Sequence, residues 1–159
     1  MTKIVLVTGG FDPVHKGHIR YFEAARNLGD MLVVGLNSDA WLTRKKSQPF
    51  MPFDERREIV SSLKPVDYVL DEYDDSDNTS CNAIRAVRKN WPDAEIIFAN
   101  GGDRGAENTP ERSLAAEIGN ITFYYGIGGT SKANSSSWIL QDWKTPKTQR
   151  DRKSTRLNS

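Results

Sequence analysis

Short apolar runs alternate with amphipathic stretches along most of this 159-residue chain. Continuous apolar runs rich in β-branched residues are typical of strands that are buried on both faces, as in a parallel sheet. Apolar residues that recur three or four positions apart indicate helices with one buried face. The strands are predicted at residues 3–8, 31–36, 66–70, 95–100 and 121–125, and the helices at residues 16–28, from 53 onward, 81–90 and 107–118.

This alternation of strands and helices predicts the architecture of the chain. A strand, a helix and a second strand in succession are expected to form a parallel pair with a right-handed crossover. We therefore expect a single-domain α/β fold of the Rossmann-like type, with a five-stranded, mostly parallel sheet and helices on both faces. Because ligands bind at the carboxyl ends of the strands in such sheets, polar residues there are candidates for a functional site.

The loop after the first predicted strand carries the most informative chemistry. Gly9 and Gly10 end the strand, and a Pro-containing turn then leads to His15 and His18 at the start of a helix. A helix N-terminus presents unpaired N–H groups and the positive end of the helix dipole, so it attracts phosphate. Gly17 lets the helix begin close to a ligand, and the imidazoles can donate to oxygens that gain charge. The alternative is a helix-capping turn in which the two histidines are incidental.

The order Gly10-Phe11-Asp12-x-x-His15-x-Gly17-His18, directly after a strand, resembles the signature of the cytidylyltransferase-like nucleotidyltransferases. The resemblance implies that a phosphorylated acceptor attacks the α-phosphorus of a nucleoside triphosphate and that pyrophosphate leaves, without a covalent intermediate. It implies that His15 and His18 stabilise the five-coordinate phosphorus, with Mg²⁺ bound mainly by the phosphates. The nucleotide-binding residues that it implies in this loop are Thr8, Gly9, Gly10, Phe11, Asp12 and Gly17.

Basic residues farther along the chain are further candidates. Arg56 matches an Arg at a helix start that contacts the nucleotide phosphates in this family, and it is preferred over Arg57. Asp54 is predicted to cap that helix. A polar loop is expected to carry Arg44, Lys45 and Lys46, within reach of the phosphates, although a run of charges is also typical of a solvated surface. Lys45 and Arg56 are expected to be catalytic, and Arg44 and Lys46 are expected to bind the acceptor.

Polar residues follow the second and fourth predicted strands. Asn37-Ser38-Asp39 stands at the end of the second strand, where Asn37 and Asp39 are expected to bind the acceptor, although the same residues can cap the next helix. After the fourth strand, Gly101 lets a ligand ring lie against the backbone and Asp103 can accept hydrogen bonds from a ribose or a base. This second loop resembles the nucleotide-side loop of sugar-phosphate nucleotidyltransferases, but Gly-Gly-Asp also forms ordinary turns.

A third candidate stretch precedes an apolar helical pattern near the end of the domain. Ser135, Ser136 and Ser137 form a hydroxyl triplet that can cap this helix, and the resemblance implies that the triplet contacts the triphosphate. The family has an Arg shortly before the triplet, where this chain has Lys132. A plain capped helix is the alternative. The loops at 37–39 and 101–103 are most similar to those of heptose-phosphate adenylyltransferases, followed by glycerol-phosphate and ethanolamine-phosphate cytidylyltransferases, so ATP and CTP both remain candidates.

Composition narrows the function classes. The hydrophobic content of 37% predicts a globular protein. The formal net charge of +1 provides no large positive field that would attract nucleic acid. The single Cys81 provides no disulfide or cysteine metal cluster, and no apolar run is long enough for a membrane span, so we expect a cytoplasmic protein. The acidic stretch at residues 71–77 is interpreted as a solvated loop, and no metal ligands are predicted in the protein.

The domain is predicted to span residues 1–143 and to be followed by a disordered tail at 144–159, which is polar and basic. Residues 151–159 resemble a translated sequencing adapter, which would truncate the natural chain near Arg150 and leave room for a further domain. A homodimer is compatible with the family, although no interface is visible in the sequence. The alternative function is a nucleotide-binding regulatory module without turnover. A class I aminoacyl-tRNA synthetase fragment is disfavoured because no Lys-Met-Ser-Lys signature is present.

Overall fold

A computed structural model describes residues 2–73, 79–101 and 110–127. The strands are β1 (Lys3–Gly9), β2 (Met31–Leu36), β3 (Tyr68–Val69), β4 (Glu95–Gly101) and β5 (Ile121–Ile127). The helices are α1 (Lys16–Arg26), α2 (Asp39–Lys46), α3 (Phe53–Ser61), α4 (Cys81–Asn90) and α5 (Ala115–Ile118), and a 3₁₀ helix (Pro110–Leu114) precedes α5. The strands form one five-stranded sheet in the order β3-β2-β1-β4-β5, and all four pairings are parallel. The predicted Rossmann-like fold is confirmed.

Successive residues of β1 face opposite sides of the sheet, and each side has its own core. Val5 and Val7 pack with Phe22 of α1 and Val60 of α3 in one cluster. Their neighbours Ile4 and Leu6 belong to the other cluster, together with Ile84 and Val87 of α4. Because β1 is covered on both faces, its apolar run is continuous rather than alternating. Helices on both faces, as predicted, follow from this arrangement.

The strand order positions the site. From β1 the chain first builds β2 and β3 on one side, and it then returns to place β4 and β5 on the other side. Loops that leave β1 and β4 at their carboxyl ends therefore diverge, and they open a crevice above the central strand. The Gly-rich turn after β1 lies at this crevice, which is where the sequence placed the candidate site.

Residues 44–46 were expected in a loop, but they form the last turn of α2. Ser38 caps this helix by accepting a hydrogen bond from the Trp41 N–H at 3.0 Å, and the three basic residues complement the negative end of the helix dipole. The apolar pattern could not reveal α2 because Leu42 is its one buried residue. The cap at 37–39 thus exists, as the alternative interpretation required.

The helix beginning at Phe53 has a different cap from the predicted one. Pro52 occupies the N-cap position without a side-chain hydrogen bond, and Asp54 lies inside the first turn. The Phe53 N–H instead donates to Asp39 Oδ2 at 3.3 Å. The side-chain acceptor at the start of this helix is therefore Asp39, 14 positions earlier in the chain than Phe53, and not the predicted Asp54.

Other boundaries differ modestly from the prediction. β3 has two residues instead of five, α1 ends at Arg26, and β5 runs on to Ile127. The helix predicted at 107–118 is described from Pro110 onward, as the 3₁₀ helix followed by α5. The predictions for Asp103, Ser135, Ser136, Ser137 and the tail lie outside the described residues. In the described ranges, no helix has the length and apolar character that crossing a membrane requires.

Candidate active site

A cavity of about 600 Å³ lies at the carboxyl end of β1, within the size range of small-molecule sites. Its lining combines residues from the turn after β1, the end of β2, helix α2, the start of α4 and the 3₁₀ helix. The lining residues are Thr8, Gly9, Gly10, Phe11, Asp12, His18, Asn37, Trp41, Leu42, Lys45, Lys46, Ser80 and Glu111. Five predicted site residues of the described ranges are not among them: His15, Gly17, Asp39, Arg44 and Arg56. Gly101, which is also predicted to bind the nucleotide, ends β4.

The two histidines hold each other at the start of α1. His15 is the N-cap residue, and its Nδ1 accepts from the Gly17 N–H at 3.1 Å. His18 Nδ1 accepts from the His15 N–H at 3.3 Å, so the pair forms a reciprocal capping box. The rings stack with 3.7 Å between centroids and 24° between planes. The two histidines therefore cap the helix, as the alternative interpretation held, and the same two side chains stay the candidates for a catalytic role.

This hydrogen bonding assigns the tautomer of both neutral rings. Since each Nδ1 accepts a backbone hydrogen bond, each neutral imidazole carries its hydrogen on Nε2. Burial lowers the pKa of His15, and burial followed by the charge of His15 lowers the pKa of His18 to about 3. At neutral pH both rings are uncharged and offer an Nε2–H donor on the edge opposite the helix backbone. Such donors stabilise developing negative charge without transferring a proton.

Phe11 packs against His18 and lies close to Gly9. Its ring meets His18 edge to face at 4.8 Å between centroids, and it is buried with a φ of 49°. A Cβ on Gly9 would lie 3.0 Å from the Phe11 ring, whereas one on Gly10 would lie 2.9 Å from Leu42 Cδ2. A side chain at either position would be in tight contact with a neighbouring side chain, so packing within the protein favours glycine there, in addition to the predicted approach of a ligand.

The Asp12 carboxylate, expected to bind nucleotide, is occupied by the protein itself. It is 2% exposed and accepts from the N–H groups of Phe50 and Met51 at 2.6 and 2.7 Å. Lys46 Nζ forms an ion pair with the same carboxylate at 2.8 Å and also donates to the Asp12 carbonyl at 3.1 Å. Asp12 therefore anchors the segment between α2 and α3 to the turn after β1, and we interpret it as a supporting residue of the cavity.

Arg56, expected as a catalytic residue, is fully buried beneath the cavity. Its guanidinium donates to the carbonyls of Met51, Gly10 and Asn37 at 2.9, 3.0 and 2.8 Å, and to Asp39 Oδ1 at 2.7 Å. A buried guanidinium with four such acceptors joins the loops that follow β1 and β2 to helix α3. The structure corrects the prediction, because in it Arg56 contacts protein acceptors rather than the cavity.

Asp39 and Asn37 divide the roles expected of them. Asp39, predicted to bind the acceptor, is not a lining residue and directs its two oxygens to Arg56 and to the N-terminus of α3. Asn37 is 7% exposed and lines the cavity, while its backbone carbonyl accepts from Arg56. Asp39 is therefore corrected to a structural position, and Asn37 stays a candidate for contact with the acceptor.

Helical geometry separates the three consecutive cations. Successive residues of a helix point about 100° apart, so a run of three cannot face one cavity. Lys45 and Lys46 line the cavity, with Lys45 Nζ 4.8 Å from the centre of the Trp41 ring, and Arg44 does not line it. Arg57, the weaker sequence candidate, pairs with Asp71 at 2.9 Å on the surface. Two of the predicted cations thus accompany His18 in the cavity wall.

Four lining residues, Trp41, Leu42, Ser80 and Glu111, are not among the site residues predicted from the sequence. Thr8 Oγ1 lies 2.8 Å from Ser80 Oγ, and the Ser80 N–H donates to Glu111 Oε1 at 2.9 Å. These three residues come from segments separated by 72 and 31 positions. The one available signal was Ser80 directly before a helix, which is typical of a cap. Nothing in the local sequence marks Glu111 as buried.

Among the described residues, no three His, Cys, Asp or Glu side chains lie together in a way that could hold a metal ion. The cavity wall instead offers the neutral imidazole of His18, two ammonium groups and hydroxyls. That set matches phosphate oxygens and sugar hydroxyls.

Comparison with known proteins agrees with this chemistry. The family model described as cytidylyltransferase-like matches residues 6–124. The chain belongs to the cytidylyltransferase-like family of nucleotidyltransferases. The resemblance noted from the loop after β1 is thereby confirmed, and the matched range begins in β1 and ends within β5.

Relatives of the family include much longer proteins. The bifunctional protein HldE of Pelobacter propionicus is 34% identical over 142 residues, which cover 87% of this chain and 27% of that protein. The HldE of Nitratiruptor is 36% identical over 131 residues, covering 81% of this chain and 26% of that protein. The chain thus spans about a quarter of the length of these relatives.

Solved structures show the same fold. The lipopolysaccharide core biosynthesis protein of Thermoplasma volcanium is 26% identical with a TM-score of 0.61, covering 84% of this chain and 100% of that one. The bifunctional NMN adenylyltransferase/ADP ribose pyrophosphatase of Francisella tularensis has a TM-score of 0.62 at 16% identity, covering 90% of this chain and 42% of that one. The second likeness concerns the fold alone.

Proposed function

We propose that this chain transfers a nucleoside monophosphate from ATP or CTP to a phosphorylated sugar or polyol and releases pyrophosphate. The observation that carries the proposal is the stacked pair His15–His18, of which His18 lines a cavity with Lys45 and Lys46 in its wall. A site with neutral donors and ammonium groups stabilises the spread charge of a phosphoryl transition state.

The reaction is a single displacement. A phosphate oxygen of the acceptor forms a bond to the α-phosphorus, and the bond from that phosphorus to the bridging oxygen of the β-phosphate breaks as pyrophosphate departs. The His18 and His15 N–H groups donate to the α-phosphate oxygens, and Lys45 balances the charge of the leaving group. Because the pKa of His18 is near 3, the imidazole acts as a hydrogen-bond donor and not as an acid.

Mg²⁺ is proposed to accompany the triphosphate. The Asp12 carboxylate is committed to Lys46 and to two backbone N–H groups, so this carboxylate is not available to the ion. We therefore assign its coordination mainly to the phosphates, where it would screen their charge. The Gly101 backbone and, outside the described residues, Asp103 and the triplet Ser135, Ser136 and Ser137 are proposed to complete the nucleotide side.

The acceptor is proposed to be of the heptose 1-phosphate or glycerol 3-phosphate type. The loops at 37–39 and 101–103 favour this choice through their similarity to heptose-phosphate adenylyltransferases. The relative from Thermoplasma volcanium, described as a lipopolysaccharide core biosynthesis protein, also favours a sugar phosphate. Asn37, Lys46 and the exposed Arg44 are proposed as acceptor contacts. Cytoplasmic location and a homodimer stay predictions.

The test is a matrix of nucleotides and acceptors. Purified protein with Mg²⁺ is mixed with each of the four ribonucleoside triphosphates and with heptose 1-phosphate, glycerol 3-phosphate and ethanolamine phosphate, and pyrophosphate release is followed. One productive pair supports the transferase and names its substrates. No release with any pair refutes it, and tight nucleotide binding by calorimetry in that case supports the non-catalytic binding module.

A further inference from the structure

The cavity wall contains a second polar group of residues that the phosphate chemistry does not use. We call Thr8, Ser80 and Glu111 the hydroxyl cluster. Thr8 stands near the end of β1, Ser80 directly precedes α4, and Glu111 lies in the 3₁₀ helix before β5. Ser80 is 7% exposed and Glu111 is fully buried, yet all three residues line the cavity.

The orientation of Ser80 is unusual for its position. A Ser directly before a helix commonly accepts a hydrogen bond from the first turn of that helix. Ser80 makes no such side-chain cap, and its N–H donates to the Glu111 carboxylate at 2.9 Å. Its hydroxyl is directed to Thr8 Oγ1, 2.8 Å away across the cavity wall. Glu111 therefore holds the Ser80 backbone in the position that brings the two hydroxyls together.

Counting donors and acceptors shows what the pair can bind. Each hydroxyl has one hydrogen to donate and two lone pairs to accept with. The bond between Thr8 and Ser80 uses one hydrogen and one lone pair, so the pair retains a donor as well as acceptors. A ligand hydroxyl, which also donates and accepts, satisfies both. A phosphate, which only accepts, would leave the lone pairs of the two hydroxyls without a donor.

We propose that Thr8 and Ser80 form a subsite for a hydroxyl group of a substrate, and that Glu111 is its positioning residue. The inference rests on the proposed transferase function and deepens it. Lys45 and Lys46 attract phosphate groups, whereas the hydroxyl cluster recognises the polyhydroxylated part of the same complex. The hydroxyl belongs either to the ribose of the nucleotide or to the polyol or sugar acceptor, and the test separates these sources.

The test compares substrates that differ by one hydroxyl. For wild type, Thr8→Val and Ser80→Ala, kcat/KM is measured with ribonucleoside and 2′- or 3′-deoxynucleoside triphosphates, and with the acceptor and its monodeoxy analogues. Thr8→Val keeps the shape of the side chain and removes the hydroxyl. With the hydroxylated substrate, we expect the kcat/KM of each variant to be about 10-fold lower than that of wild type. With the matching deoxy analogue, we expect variant and wild type to have the same kcat/KM. The analogue that abolishes the difference identifies the ribose or the acceptor as the source.

Controls separate recognition from folding. Thr8→Ser is expected to restore the discrimination, and Ser61→Ala, which removes an exposed hydroxyl on α3, serves as the remote control. Glu111→Gln retains an oxygen for the Ser80 N–H and is expected to keep the discrimination, whereas Glu111→Ala is expected to lose it. Thermal unfolding is recorded for each variant, and if Glu111→Ala does not fold, Thr8→Val and Ser80→Ala decide the question.

The inference is overturned if the Thr8 and Ser80 variants lose equal activity with hydroxylated and deoxy substrates, or lose none. Its failure differs from failure of the proposed function, which would appear as no pyrophosphate release by wild type. In that event the same substrate pairs are compared by calorimetric binding. Affinities that do not distinguish hydroxylated from deoxy ligands, in wild type and variants alike, then refute the subsite.

Discussion

Replacing Arg56 with Met tests whether this residue supports the cavity or contacts a ligand. The guanidinium is fully buried and donates to three backbone carbonyls and to Asp39. Met has a similar length and no donors, so the three carbonyls lose their partner. At roughly 1 kcal/mol for each buried acceptor left unpaired, the free energy of unfolding is expected to fall by about 3 kcal/mol.

The ion pair with Asp39 adds little to this figure. The Asp39 side chain is 41% exposed, so water screens the charge that remains after the substitution. A loss of about 3 kcal/mol corresponds to a melting temperature lower by about 10 °C for a domain of this size. The measurement is urea unfolding followed by circular dichroism, together with thermal unfolding and calorimetric titration of nucleotide at a temperature where the variant is folded.

The neighbouring residue provides the matched control. Arg57 pairs with Asp71, whose side chain is 85% exposed, so Arg57→Met is expected to change stability by less than about 0.5 kcal/mol. Arg56→Lys keeps the charge but presents its donors from one atom, and it is expected to recover about half of the lost stability. The reasoning is refuted if Arg56→Met unfolds like the wild type and nucleotide affinity collapses, because that result would restore the phosphate contact expected from the sequence.

Three further predictions concern the turn after β1. His18→Ala is expected to lower kcat by about 10²- to 10³-fold, because the imidazole acts on charge that develops in the transition state. Nucleotide affinity measured by calorimetry is expected to change little. Equal kcat in variant and parent would remove His18 from the mechanism. Because the pKa of His18 is lowered to about 3 in the folded protein, the unfolded chain binds the extra proton between about pH 6.5 and 3. Stability is therefore expected to fall as pH decreases through this window, and unfolding titrations of His18→Gln should show a smaller fall; an identical pH dependence would contradict the assignment. Asp12→Ala leaves the Phe50 and Met51 N–H groups without their acceptor, so limited proteolysis is expected to cut at residues 47–52 faster than in wild type, and unchanged cleavage would show that other contacts hold this segment.

Much of the fold was readable because its determinants are local or periodic. The Ile4–Val7 run predicts a strand buried on both faces, and each of its residues is indeed fully buried. The capping box of His15 and His18 spans four consecutive positions, so its residues meet wherever the chain forms a helix there. Helix α2 escaped prediction because Leu42 is its one buried residue, and a helix held mainly by its cap leaves no apolar period.

The residues that hold the loops around the cavity could not be predicted from the sequence, because their contacts are long-range. Asp12 reaches Phe50 and Met51 across 38 and 39 positions, and Arg56 reaches Gly10 across 46. A charged residue near a phosphate motif suggests ligand contact, but the same charge can equally bind backbone groups brought close by folding. Which of these holds depends on burial, and burial of a charged residue has no local signature.

The sequence by itself determined the order of the strands and of every helix except α2, the family signature and the identity of the two imidazoles at the first helix. Only the tertiary structure decided which charged residues face the cavity: Lys45 and Lys46 do, whereas Arg56 and Asp39 hold loops together beneath it. It alone brought Ser80 and Glu111 beside Thr8. The physical reason is range, because backbone preferences act over a few residues, whereas hydrogen bonds between distant segments exist only after the sheet has aligned the carboxyl ends of its strands.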